Sequence, residues 1–163
     1  MSEVVELLKA LKYEEIRSDP IAPQDYPAMV EEQLGVSLPI DYRKFLRAYP
    51  RSGGPGHSVL IRPLDDDDCT DISWMELHGF EEGENRGLIG VNRDYPDNHI
   101  PGAIVIGDDI LGNFLYMTVT GDDPGSVYFY DRDERSSGTL DDLIRLSTSF
   151  SNFLQRTIID PDD

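Results

Sequence analysis

The sequence is nearly free of cysteine: Cys69 stands alone among 163 residues. No intrachain disulfide can form, and a reducing compartment is the natural setting for such a chain. Long apolar runs are absent as well, and no stretch approaches the ~20 residues a membrane-spanning helix requires. The N-terminal MSEVVELLKALKYEEI is charged and amphipathic, without the apolar block and small-residue cleavage site of a signal peptide. A cytoplasmic protein with no membrane partner is expected. Basic residues are also scarce, with Lys plus Arg totalling 14 against 32 Asp plus Glu, a formal net charge of −18. That charge repels nucleic-acid phosphates and anionic lipid heads, which argues against direct binding to either. It attracts basic proteins, and complementary fields raise association rates by about 10 to 10³-fold. Solubility alone is the competing explanation of the acidity.

Motifs that carry chemistry are missing too. GDDILGN (107–113) has adjacent Asp108 and Asp109 but lacks the alternating oxygen ligands and closing glutamate of a calcium loop. Its Asp, Asn and Gly residues suit a hairpin turn, with Gly107 and Gly112 free to take positive φ. LDDDDCTD (64–71) gathers Asp65, Asp66, Asp67, Asp68 and Asp71, without a nearby glycine loop for phosphate or a nucleophile. Mutual repulsion makes it a solvated loop, with a contact patch for a basic partner as the functional alternative. His57, His78 and His99 lack the short spacings of zinc fingers or HExxH helices. Cys69 lies among aspartates, which disfavour a thiolate. SGGPG (52–56) has neither the GxSxG of a nucleophile elbow nor the GK[ST] of a phosphate loop. The expectation is a non-enzymatic chain with no cofactor and no metal ligands.

The length suits one domain, large enough to bury a core without disulfides or metal. Val4, Leu7, Leu8 and Leu11 predict a helix over 3–13. A second helix starts near Asp25, tolerates Pro27 in its first turn and stops at Gly35. A third opens at Pro39 and places Tyr42, Phe45, Leu46 and Tyr49 on one face. SVLIR (58–62) reads as a strand, and DISWMELHGF (71–80) as a short helix or irregular chain. AIVIG (103–107), NFLYMTV (113–119) and SVYFY (126–130) predict an antiparallel meander, with GDDPG (121–125) as its second turn. From Thr139, a capping residue, Leu140, Leu143, Ile144, Ser147, Phe150, Phe153 and Leu154 fit the stripe of one long C-terminal helix. The tail 160–163 is expected to fray. Together these elements predict an α+β domain with a central, mainly antiparallel sheet, N-terminal helices and a C-terminal helix packed on it. Trp74, the only tryptophan, is expected in the core, with an interface anchor as the sharper alternative.

The order of short motifs resembles the SUKH superfamily, whose founding branch is the fungal cell-wall-assembly regulators. Leu34-Gly35, Leu38-Pro39, Asp41-Tyr42, Phe45-Leu46 and Gly53-Gly54 match in sequence. Ile106-Gly107-Asp108, Gly112-Asn113, Ser149-Phe150 and Phe153-Leu154 follow, so the resemblance covers about 25–155. Ser52 stands where the family has Asn before the glycine pair, and 65–98 has no motif that aligns. The resemblance implies a protein-binding domain. Many bacterial members are immunity proteins that neutralise a polymorphic toxin, often a nuclease, by direct contact, and the fungal branch supplies regulatory or scaffold modules. A basic toxin domain is therefore the expected partner. The matched motifs are turns, caps and core residues, so no family site residue transfers. From charge and residue type, the candidate contacts are Asp65 to Asp68, Asp71, Asp108, Asp109, Asp122 and Asp123, with Trp74, Tyr128 and Tyr130 as aromatic anchors.

Overall fold

The computed structural model describes residues 2–16, 22–64, 70–83, 85–133 and 139–163. The N-terminal third is helical. α1 (Glu3–Ala10) is capped by Ser2, whose Oγ accepts the Val5 N–H, and it ends before Lys12, which takes a positive φ. α2 (Tyr26–Leu34) carries Pro27 in its first turn and stops at left-handed Gly35. α3 (Ile40–Ala48) follows Pro39 and buries Tyr42, Phe45 and Leu46.

A seven-stranded antiparallel sheet runs β1-β2-β5-β6-β7-β8-β9. Its members are β1 (Glu14–Glu15), β2 (Gly53–Gly54), β5 (Glu76–Leu77), β6 (Ala103–Asp108), β7 (Phe114–Thr118), β8 (Val127–Tyr130) and β9 (Ile144–Ser147). The Gly53-Gly54 pair is required by close approach: a Cβ on Gly53 would overlap the Glu14 carbonyl oxygen, and one on Gly54 that of Met75. A second sheet, β10-β3-β4, is built from β3 (Val59–Ile61), β4 (Ile72–Trp74) and β10 (Ile158–Ile159). Short α4 (Gly87–Arg93) precedes β6, and α5 (Phe150–Arg156) follows β9.

The meander alternates cleanly between faces. Leu115, Met117, Val127 and Phe129 point into the main core with Tyr42, Phe45, Phe150 and Phe153. Phe150 lies 4.9 Å from the Tyr42 ring centroid and 5.1 Å from that of Phe45, which locks α5 onto α3. Val105, Tyr116 and Tyr130 form a smaller cluster on the opposite face, with Ile100 and the partly buried Phe114 and Tyr128.

Three expectations are corrected. The residues 71–80 are neither helix nor irregular: they form β4 and β5, one in each sheet, with Met75 exposed at the crossing. The long C-terminal helix is instead one 3-10 turn (Leu140–Asp142), β9 and α5. Its apolar residues serve opposite sides, since Leu140 and Leu143 join the outer cluster while Leu146 and Phe150 lie in the main core. A single helical stripe cannot reach both faces of a sheet. The α5 helix has its own cap, with Ser149 Oγ accepting from Asn152 N at 3.0 Å. The tail 160–163 is tied down rather than frayed: Asp160 N–H donates to Ser58 O at 2.8 Å, and Ser58 N–H donates to Asp163 Oδ2 at 3.1 Å. Among the described residues, no helix is long and apolar enough to cross a membrane.

Candidate partner-binding surface

The outer face of the meander is aromatic because alternate residues of β7 and β8 are Phe114, Tyr116, Tyr128 and Tyr130. Tyr116 and Tyr130 meet edge to face at 5.9 Å, and Phe114 stacks on Tyr130 at 6.4 Å. Tyr116 Oη donates to the Asn98 carbonyl at 2.6 Å, which anchors the 3-10 turn Pro96–Asn98 over one end of this face. A cleft of about 450 Å³ remains beside these rings, with Asp97, His99 and Arg132 on its rim. Tyr130 is only 8% exposed and offers an edge rather than a protruding anchor. Tyr128 lines a neighbouring groove with Pro63, Leu143 and Arg145.

The acidic candidates do not form one patch. Asp109 follows β6 and Asp122 and Asp123 lie in the turn before β8, so they stand at opposite ends of β7. Five strand residues separate those ends by roughly 17 Å. The Asp109 carboxylate is occupied by the turn itself: Oδ1 accepts from the Leu111 and Asn113 N–H groups, and Oδ2 from Asn113 Nδ2. Gly112 takes a positive φ of 83°, as the turn reading requires, while Gly107 remains in β6. The tip presents Ile110 and Leu111, 79% and 76% exposed, rather than the charge of Asp108 and Asp109. Asp122 and Asp123 are exposed, and Asp123 Oδ2 lies 3.7 Å from Arg145. Asp71 is exposed and receives Arg62 Nε at 3.2 Å. Asp65, Asp66, Asp67 and Asp68 lie outside the described residues.

Trp74 takes the core position and is corrected as a partner anchor. It is 2% exposed, its Nε1 donates to Thr157 Oγ1 at 3.2 Å, and its ring sits 5.2 Å from Phe153. Ser52 holds a buried polar junction in which its Oγ accepts the Gly79 N–H at 2.9 Å and donates to Glu81 Oε2 at 3.0 Å.

No spacing in the sequence marks a metal ligand set, yet the fold gathers one. Glu76, His78 and Asp108 each bring one ligand atom within 4.8 Å of the other two. Glu76 and Asp108 are register partners on β5 and β6, and His78 follows Glu76 by two residues on the same face. His78 Nε2 lies 3.7 Å from Asp108 Oδ2, and Nδ1 lies 3.9 Å from Glu76 Oε1. These separations are too long for direct hydrogen bonds. Nor are they ion pairs at neutral pH. Burial lowers the His78 pKa to about 4, against the pull of Glu81, and leaves the ring neutral. Burial, reinforced by the neighbouring carboxylates, raises Glu76 to about 7 and Asp108 to about 6. The legible signal was the alternation Glu76-Leu77-His78, hidden because 71–80 did not read as strand.

Among known proteins, the model of the SMI1 / KNR4 family (SUKH-1) matches residues 22–156. No curated protein and no solved structure matches the chain.

Proposed function

The chain belongs to the SMI1 / KNR4 family (SUKH-1), a family of generally non-catalytic protein-interaction domains, and on that premise we propose that it is an immunity protein. It neutralises a basic bacterial toxin domain, of the nuclease class, by stoichiometric contact. The observation that carries this reading is the net charge of −18 on a binding fold. A nuclease presents basic surface to its phosphate substrate, and an acidic inhibitor covers that surface with complementary charge. The exposed Asp122, Asp123 and Asp71 supply charge at separate points of the surface. The aromatic cleft at Tyr116 and Tyr130 and the apolar tip at Ile110 and Leu111 supply shape and desolvated contact.

Coexpression with the toxin encoded beside its gene tests the proposal. Restored growth of the host, and loss of that rescue when Asp122 and Asp123 are both changed to Lys, is the expected result. Undiminished toxicity in cells that accumulate the folded chain would overturn it. A gene with no toxin beside it would instead favour the regulatory role of the family's fungal branch.

A further inference from the structure

We propose that Glu76, His78 and Asp108 bind one divalent cation of the Zn²⁺ class, held between β5 and β6. The inference rests on side-chain geometry and stands independently of any toxin. His78 is 9% exposed, and its Nε2 is buried without a hydrogen-bond partner among the described residues. Asp108 Oδ1, in the same cluster, is likewise buried and unpartnered. Buried polar atoms left unpaired cost free energy, and two in one cluster point to a ligand that satisfies both. The two carboxylates add a second anomaly. Like charges directly across a sheet repel, yet Glu76 and Asp108 are register partners and neither is fully solvated. A dication placed between them converts that repulsion into attraction.

The donor set fits the ion. The neutral imidazole that burial enforces is the form that ligates metal. The three ligand atoms, one from each side chain, lie within 4.8 Å of one another and would draw together to the edge of about 3.3–3.6 Å that metal–ligand distances near 2.0–2.2 Å give in a tetrahedron. One imidazole nitrogen favours Zn²⁺ over Mg²⁺ and Ca²⁺, which prefer all-oxygen shells. Three protein ligands leave a fourth position for water or for a group from outside the chain.

The test is titration of chelator-stripped protein with Zn²⁺ by calorimetry, with thermal unfolding as a parallel readout. One ion is expected per chain, with a raised unfolding temperature and no comparable response to Mg²⁺. His78→Ala and Asp108→Asn should each weaken Zn²⁺ binding by more than about tenfold, since losing even a residue that only supports a metal ligand costs about 10- to 100-fold. Asp108→Asn keeps side-chain size and guards against misfolding as the cause of any loss. Binding must survive in a Cys69→Ser, His57→Ala, His99→Ala variant, which removes the other soft donors. Absence of Zn²⁺ binding by the wild-type chain overturns the site. So does binding that persists in both ligand variants or vanishes in the triple variant.

Discussion

Asp41 and Ser151 are 110 residues apart, yet Asp41 Oδ2 accepts the Ser151 backbone N–H at 2.8 Å. Asp41 Oδ1 accepts the Tyr42 N–H at 2.8 Å, so one carboxylate serves the first turns of both α3 and α5. The bond holds the two helices whose rings, Tyr42, Phe45 and Phe150, close the main core.

Replacing Asp41 with Ala should therefore destabilise the domain by about 1–3 kcal/mol, the usual range for a partly buried hydrogen bond to a charged group. Chemical denaturation of the purified chain measures it. Asp41→Asn keeps an acceptor and should lose less.

The Trp74–Thr157 pair makes a second point of stability. Thr157→Val keeps the volume but leaves the buried Trp74 Nε1 without its acceptor, and it removes the bond from Thr157 Oγ1 to the Phe153 carbonyl at 2.8 Å. A loss of about 1–3 kcal/mol is expected in denaturant unfolding. Because Trp74 is core, partner binding by the folded variant should not change.

The meander turn separates structural from available charge. Asp109→Ala removes an acceptor of three hydrogen bonds and should cost about 1–2 kcal/mol. Asp122→Ala, at an exposed position, should change stability by no more than about 0.5 kcal/mol. Thermal unfolding of the two variants side by side distinguishes them, and the reverse order would contradict the assignment of the turn.

The pH dependence of the metal-free protein follows from the cluster on β5 and β6. Glu76 is raised from 4.5 to about 7 and Asp108 from 3.8 to about 6, so the fold keeps protons that the unfolded chain has released. Stability from these groups is lost as pH rises through that window. His78, lowered from 6.5 to about 4, acts in the opposite sense, since the unfolded chain holds its proton longer. Two carboxylates outweigh one imidazole. With chelator present, the urea midpoint should fall between about pH 5 and about pH 7, and Glu76→Gln should flatten that fall.

How far the sequence was legible depended on whether one pattern served one neighbour. The meander was readable because AIVIG, NFLYMTV and SVYFY alternate without a break between two apolar faces. The α2 and α3 helices were readable from Gly35, Pro39 and the Tyr42, Phe45, Leu46 face. DISWMELHGF was opaque because the chain changes sheets at Met75, which shifts the phase of its alternation. The segment after Thr139 misled because Leu140 and Leu143 fall at helical spacing from Ile144 but pack on the other side of the sheet. Ser149, with Asn152 three residues on, marked the true helix start. Of the candidate contacts, charge and residue type could be read directly. Which carboxylates the turns consume, and which ends of β7 they occupy, depends on register and loop geometry that no local pattern encodes.

Titration of the folded chain into the purified toxin encoded beside its gene measures neutralisation most directly. Toxin activity should fall linearly to zero at one molar equivalent, with affinity that weakens as salt screens the acidic surface. Full activity persisting beyond an excess of folded chain would contradict the immunity role.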